Sequence, residues 1–223
     1  VLFCQPHNPT GHVYTQEELN VFAEIAVEYD LIVISGEIWA DLVFDGNTHL
    51  PLSTSHEGLL ERTVTIGSAS KAFNLAGARC CVAHIGSPAT RSELQKYPDH
   101  YFGLPSSFGS AATVAAWTQG KPWLRRVKEQ IEHNRNYVHS RIAEDSSGLT
   151  MHLPEATYLA WLDFSNTNLS DKPSKELLHK AKIALEPGDK FGKQCGSFAR
   201  LNFATSIDIV ETIVERILET VSY

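Results

Sequence analysis

The sequence predicts an α/β fold, with a mostly parallel sheet flanked by helices and a smaller α+β domain after it. Four apolar runs are continuous rather than alternating, which is typical of strands buried on both faces of a parallel sheet. They are VLFC (1–4), LIVIS (31–35), TVTIG (63–67) and CVAHIG (81–86). From about residue 107 the pattern changes to long helices and separate strands. We therefore predict a larger domain over residues 1–145, which includes a long interdomain helix, and a smaller domain over 146–223.

The first helix is predicted to begin after Thr15. Thr15 and Glu18 have the spacing of a capping box, in which each side chain accepts a hydrogen bond from the other residue's backbone. Four apolar residues share one face of this helix, namely Leu19, Phe22, Ala23 and Ala26. The preceding segment PHNPTGHVY (6–14) has the Pro, Asn and Gly content of a loop.

The second half of the chain contains two strands and four helices by pattern. A helix of small residues ends at Gly120, and Pro122 opens a long amphipathic helix that continues to about residue 144. Strands are predicted at 155–164 and 198–204, with a helix at 174–183 between them. Ser206 is predicted to cap a final helix, whose inward residues are Ile207, Val210, Val214, Ile217, Leu218 and Val221.

Composition excludes several classes of protein. Lysine and arginine total 19 against 26 acidic residues, a net charge of −7, which argues against nucleic-acid binding. No apolar run approaches the roughly 18 residues of a membrane-spanning helix, and no signal pattern opens the chain. We expect a cytoplasmic protein whose four cysteines are small buried residues. Because the chain opens inside a predicted strand, we also expect it to be the C-terminal part of something longer.

The segment GSASKAFNLAGAR (67–79) is the most informative part of the sequence. Small residues surround Lys71, which suits tight packing better than a solvated lysine. A desolvated lysine is a better nucleophile, and serine hydroxyls with Arg79 suit a phosphate group. A nucleophilic lysine, phosphate ligands and a parallel sheet together suggest pyridoxal 5'-phosphate (PLP). The alternative is that Lys71 has a purely structural or surface role.

Three motifs, in order, carry a resemblance to a known family. HNPTG, SASKAFNLAGAR and FARLNF resemble motifs of the fold-type I PLP-dependent enzymes, and most closely the class I/II aminotransferase family. Within that family, PHNPTG, EIWADLVF, SASKAFNLAGARC and PEATYLAWLDF are similar to the cystathionine β-lyase branch, the MalY/PatB-type C–S lyases. The resemblance covers the whole chain and implies a PLP-dependent transferase-like fold. The family's N-terminal part, with its glycine-containing phosphate loop, has no counterpart in this sequence.

The resemblance implies roles for several residues near the cofactor. Lys71 matches the lysine that binds PLP covalently and then takes the proton from the substrate Cα. Ser68, Ser70 and Arg79 match the family's phosphate ligands. The residues implied at the cofactor in this segment are therefore Lys71, Ser68, Ser70 and Arg79.

Three further residues match family positions outside that segment. Asn8 matches an asparagine that binds the cofactor's ring oxygen, although an Asn before proline is also an ordinary loop residue. Trp39 stands where relatives have an aromatic residue or histidine near that oxygen, with core packing as the alternative. Arg200 matches the arginine that binds the substrate α-carboxylate, with an exposed charge at the strand edge as the alternative.

Position 36 departs from the family pattern. In the family the strand equivalent to LIVIS is followed by Asp-Glu-Ile, and the aspartate pairs with the cofactor's ring nitrogen. This chain has Gly36, and Glu37 is not a replacement because adjacent strand residues point to opposite faces. A glycine merely tolerated at a strand end is the alternative explanation. We expect slowed carbanion chemistry if the first interpretation is right.

The resemblance predicts a PLP-dependent C–S β-lyase acting on L-cystathionine or a related cysteine S-conjugate, with a small amino-acid substrate and no metal. An aminotransferase on the same scaffold is the second hypothesis. The third is an inactive remnant or a protein-binding regulator, favoured by the absence of the ring aspartate. The family also implies a homodimer, and the net charge and the lack of a long apolar run predict no nucleic-acid or membrane partner.

Overall fold

The computed structural model describes residues 1–44 and 46–222. They form two compact units. One contains Val1–His7 and His12–Arg126, and the other contains Asn8–Gly11 and the described residues from Val127 onward. These are packing units, and the domain boundary predicted near residue 145 stays a prediction.

The sheet of the first unit has four strands in the order β1-β2-β3-β4. These strands are β1 (Leu2–Cys4), β2 (Val33–Gly36), β3 (Thr63–Gly67) and β4 (Val82–Ile85). β1, β2 and β3 are parallel, and β4 is antiparallel to β3. The predicted mostly parallel sheet is therefore confirmed, with a last strand of reversed direction.

Burial of this sheet differs from the prediction that both faces are covered. Val33 is fully buried, but Leu2 is 81% exposed, and Ile34 and Val82 are also exposed. One face packs on helix α1 (Gln16–Glu28) and helix α2 (Leu52–Ser55), whose core cluster includes Val33. Continuous apolar runs thus predicted the strands correctly and their two-sided burial incorrectly.

Helix α1 follows from its sequence as predicted. The Thr15 hydroxyl accepts a hydrogen bond from Glu18 N, and the Glu18 carboxylate accepts one from Thr15 N, so the capping box is present. Leu19, Ala23 and Ala26 are buried in the core. The other helices of this unit are α3 (Pro88–Leu94) and α4 (Ser107–Gln119), and helix α5 (Lys121–Ala143) runs from this unit into the second.

The second unit has an antiparallel sheet in the order β5-β6-β8-β7. Its strands are β5 (Thr150–Met151), β6 (Leu159–Asp163), β7 (Glu186–Pro187) and β8 (Phe198–Asn202), and its helices are α6 (Pro173–Lys180) and α7 (Ile207–Val221). Phe164, Phe203 and Ile217 lie in its core. The buried amide of Asn134 on α5 donates to the carbonyl oxygens of Phe203 and Thr205, at 2.9 and 2.8 Å. An α+β unit is therefore confirmed here.

Within the described residues, no helix has both the length and the apolar composition that crossing a bilayer requires. All four cysteines are free thiols, and the expectation that they are buried is wrong: Cys81 is exposed and the other three are half-buried.

Candidate active site

Lys71 lies in the turn that follows β3. Because β1, β2 and β3 are parallel, this turn is at the carboxyl edge of the sheet, where α/β proteins usually bind ligands. A hydrogen bond from Phe73 N to Ala69 O, 3.0 Å long, closes the turn, and Ala69 and Ala72 are buried. The Lys71 ammonium lies 5.7 Å from the ring centroid of Trp39. The structure shows no ion pair or hydrogen bond from Lys71 Nζ to any residue it describes.

The predicted phosphate ligands differ in their availability. The Ser68 hydroxyl donates to Cys80 O at 2.7 Å and accepts from Ser70 N at 3.2 Å, so its proton is engaged within the turn. The Ser70 hydroxyl and the exposed Arg79 guanidinium have no hydrogen-bond partner among the residues that the structure describes. Arg79 has a left-handed backbone, with φ of +48°. Ser70 and Arg79 are therefore free to bind an anion, whereas Ser68 stabilises the turn.

Trp39 is buried, at 6% exposure, and its ring contacts Lys71. Its turn is closed by a hydrogen bond from Leu42 N to Trp39 O, 2.9 Å long. The structure thus packs Trp39 in the core near Lys71, and its predicted place at the cofactor's ring oxygen stays a prediction.

Gly36 ends β2 at the same carboxyl edge. A Cβ added to Gly36 would have Phe3 O, at 3.8 Å, as its nearest neighbour, which is ordinary van der Waals contact. The backbone of Gly36 does not have a positive φ. Neither space nor backbone conformation requires glycine here, so the position is open to an L-residue with a side chain.

Glu37 is the centre of a buried hydrogen-bond network. Its carboxylate accepts hydrogen bonds from four groups: Ser35 Oγ at 2.9 Å, Gln5 Nε2 at 3.2 Å, Leu52 N at 3.0 Å and His49 Nε2 at 2.7 Å. Burial raises the pKa of Glu37, but the hydrogen bonds from His49 and Leu52 outweigh it and leave the pKa below its usual value. The carboxylate is therefore fully engaged within this network and does not replace a missing aspartate.

Asn8 and Arg200 meet within the second unit, although 192 residues separate them in the chain. Arg200 Nη1 donates to Asn8 Oδ1 at 2.8 Å. Arg200 lies on β8, where it pairs with Trp161 of β6 and with Glu186 of β7. The structure therefore brings together two residues that the family resemblance selected from distant parts of the chain.

Two features of the site were missed in the sequence. The guanidinium carbon of Arg200 lies 5.0 Å from the ring centroid of Phe191. Gln5 and His49 complete the Glu37 network from loops on either side of it. No spacing rule links Phe191 to Arg200, since a 3₁₀ turn and a loop separate them. A buried glutamate directly after an apolar strand was the one available signal for the network.

Each unit contributes groups with a defined chemistry. The first carries the Lys71 amine, with the Ser70 hydroxyl and the Arg79 guanidinium in the same segment of the chain, and the second carries Arg200, whose Nη1 donates to the amide oxygen of Asn8. The chain belongs to the aminotransferase class I and II family, whose sequence profile matches residues 1–217. The predicted resemblance to this family is thereby confirmed.

The individual relatives include a cystathionine β-lyase and an aspartate aminotransferase. The chain is 32% identical to cystathionine β-lyase PatB of Bacillus subtilis over 223 residues, which cover 99% of this chain and 58% of PatB. It is 30% identical to an aspartate aminotransferase of the same species, covering 97% of this chain and 56% of that protein. Among solved structures, cystalysin of Treponema denticola, which contains PLP, superposes with a TM-score of 0.92 at 30% identity. That match covers 99% of this chain and 57% of cystalysin. The chain thus spans somewhat more than half the length of these relatives.

Proposed function

We propose that this chain supplies cofactor and substrate residues of a PLP-dependent C–S β-lyase. The proposal depends mainly on Lys71: an amine without an ion pair among the described residues, in a small-residue turn at the carboxyl edge of a parallel sheet. Its substrate would be L-cystathionine or another cysteine S-conjugate, which is supported by the relatives named cystathionine β-lyase PatB and C–S lyase of Staphylococcus hominis.

The side chains present fit PLP at its aldehyde and phosphate ends. Lys71 would hold the aldehyde carbon, and Ser70 and Arg79 would bind the phosphate. Asn8 and Trp39 would contact the ring oxygen, in line with the resemblance. The ring nitrogen is the exception, because Gly36 offers no carboxylate and Glu37 is engaged elsewhere. When bound, PLP supplies an electron sink for the carbanion at the substrate Cα.

The chain's own residues then have two tasks. The guanidinium of Arg200 binds the substrate α-carboxylate and so orients the Cα–H bond. Lys71 Nζ, which becomes a free amine when the substrate amine takes its place, then accepts the Cα proton, and the bond between Cβ and sulfur breaks with the thiolate as leaving group. With one water consumed, the products are the free thiol, pyruvate and ammonia.

An aminotransferase is the second candidate, favoured by the aspartate aminotransferase among the relatives. It would use the same residues but would transfer the amino group to a 2-oxo acid, and no thiol would be released. Gly36 favours a third candidate, an inactive or protein-binding form. The family resemblance further supports a cytoplasmic homodimer without a nucleic-acid or membrane partner.

The first test is covalent labelling of Lys71. The purified chain is mixed with PLP, its visible spectrum is measured, and the adduct is fixed with borohydride and located by peptide mass mapping. We expect a new absorption band and an adduct on Lys71. Lys71→Ala should lose both, whereas Lys96→Ala, a matched change at an exposed lysine, should lose neither. Adducts spread over surface lysines would contradict the proposed cofactor site.

A second assay separates the two enzyme candidates. Release of thiol and pyruvate from L-cystathionine supports the lyase. Faster amino transfer from an amino acid to 2-oxoglutarate, without thiol release, supports the aminotransferase.

A further inference from the structure

The Arg200 guanidinium makes two contacts among the described residues: an aromatic ring packs against its planar face, and one N–H group at its edge donates a hydrogen bond. The ring of Phe191 lies 5.0 Å from Arg200 Cζ, within the range of a cation–π contact. At the edge, Nη1 donates to Asn8 Oδ1 at 2.8 Å, and the structure shows no other hydrogen bond from Arg200 to a described residue. Because the ring occupies the face, it leaves the remaining N–H groups in the plane open to a carboxylate.

Phe191 is itself fixed by an aromatic neighbour. Its ring meets Trp161 edge-on, with centroids 5.3 Å apart, and Trp161 stacks on Phe198 at 5.2 Å. Trp161 lies opposite Arg200 in the register of β6 and β8. The aromatic ring beneath the arginine is therefore supported by the same sheet that carries the arginine.

A competing carboxylate nearby is already paired. Glu186 lies opposite Arg200 on β7, but its carboxylate bonds to Lys190 Nζ at 2.5 Å. No ion pair joins Arg200 to an acidic residue within the described part of the chain. The hydrogen bond from Lys190 is the main cause that lowers the pKa of Glu186, and the charge of Arg200 contributes least. Glu186 therefore acts mainly on Lys190, and the N–H groups of Arg200 stay open to a bound anion.

We propose that Phe191 is a positioning residue, which orients the Arg200 guanidinium for the carboxylate of an amino-acid substrate. This inference rests on the proposed function, in which Arg200 is the carboxylate-binding residue. Phe191 makes no contact with substrate in this proposal and acts through the arginine that it stacks against. Stacking lowers the cost of ordering a long side chain before the ligand arrives.

The test compares two probes that differ only in the carboxylate. The full chain, free of cofactor, is titrated with L-norleucine and with pentylamine, its decarboxylated counterpart. We expect Phe191→Leu to weaken norleucine binding by about three- to tenfold and to leave pentylamine unchanged. Phe191→Tyr, which keeps the ring, should restore norleucine binding. An upfield NMR shift of the Arg200 Nε–H signal, lost only in Phe191→Leu, provides a readout that does not depend on binding.

Phe108→Leu is the matched control, because Phe108 is exposed and forms no cation–π contact with Arg200 and no ring contact with Trp161 among the described residues. Equal loss in Phe108→Leu and Phe191→Leu, or equal loss for both probes, would overturn the positioning role. Arg200→Lys separates this inference from the proposed function. If Arg200→Lys weakens norleucine binding and Phe191→Leu does not, the role of Phe191 is wrong and that of Arg200 stands. If Arg200→Lys binds norleucine and pentylamine with the same affinities as the wild type, both roles are wrong.

Discussion

At the scale of single residues, Gly36 lacks the carboxylate that the family has at this position, although the structure has room for a side chain. The backbone accepts a side chain there, since a Cβ would lie 3.8 Å from Phe3 O and φ is not positive. On the proposed function, we predict that Gly36→Asp raises the rate of thiol release by about two to three decades. This corresponds to roughly 2–4 kcal/mol of barrier, since a carboxylate would then stabilise the charged form of the cofactor ring. The measurement is kcat for thiol release from L-cystathionine.

Two controls accompany that substitution. Gly36→Asn has the same size without the charge and should give no gain, so an equal gain in Asn and Asp would refute the electrostatic explanation. Gly36→Ala should keep or slightly raise the free energy of unfolding, by about 0.4–1 kcal/mol, because the unfolded chain loses freedom. Gly86→Ala should destabilise the fold instead, since its Cβ would lie 1.8 Å from Leu60 O.

At the scale of elements, hydrogen bonds to the Glu37 carboxylate connect two strands and one helix. It links the end of β1 through Gln5, β2 through Ser35 and the start of α2 through Leu52 N. Burial opposes the charge, but the hydrogen bonds from His49 and Leu52 keep the pKa of Glu37 below its unfolded value. A carboxyl with a lowered folded-state pKa adds stability above its unfolded pKa and loses it as pH falls through the folded pKa.

We therefore predict that Glu37→Gln reduces stability at neutral pH and flattens its fall in acid. The loss at pH 7 should be about 1–3 kcal/mol, which is the usual cost of weakening hydrogen bonds to a buried charge. Urea unfolding at a series of pH values from neutral to acidic measures both effects. Glu28→Gln, at an exposed site on α1, is the control and should leave the curve unchanged. A Glu37→Gln curve parallel to the wild type would show that this carboxylate does not govern the acid response.

At the scale of the whole molecule, the long elements were predictable and the short-range details were not. The α1 capping box and the apolar faces of α5 and α7 fix those helices locally, and the structure has them where the pattern indicates. The two-residue strands β5 and β7 are too short for any periodicity, and the reversed direction of β4 depends on pairing with β3. The family resemblance selected Lys71 and Arg200 as candidates, and their roles stay predictions. Phe191 and His49 could not be predicted from the sequence, because only tertiary packing brings them to their partners.

The first unit exposes an aromatic patch, defined here as Tyr97, Tyr101, Phe102, Leu104 and Phe108. The rings of Tyr97, Tyr101 and Phe102 contact one another, with the Tyr97 and Tyr101 centroids 4.7 Å apart, and Leu104 and Phe108 are 70% and 79% exposed. So many exposed apolar side chains within residues 97–108 favour association in water.

We therefore predict that the chain by itself self-associates and binds a hydrophobic dye. Light scattering coupled to size exclusion should give a mass above the 24.7 kDa of one chain. The triple substitution Phe102→Ser, Leu104→Ser, Phe108→Ser should lower both the mass and the dye signal, because it breaks the patch at three points. The control triple Val21→Ser, Leu178→Ser, Ile209→Ser changes exposed apolar residues on three separate helices and should have little effect. A wild-type chain that runs as a monomer, or equal effects of the two triples, would show that the aromatic patch does not drive association.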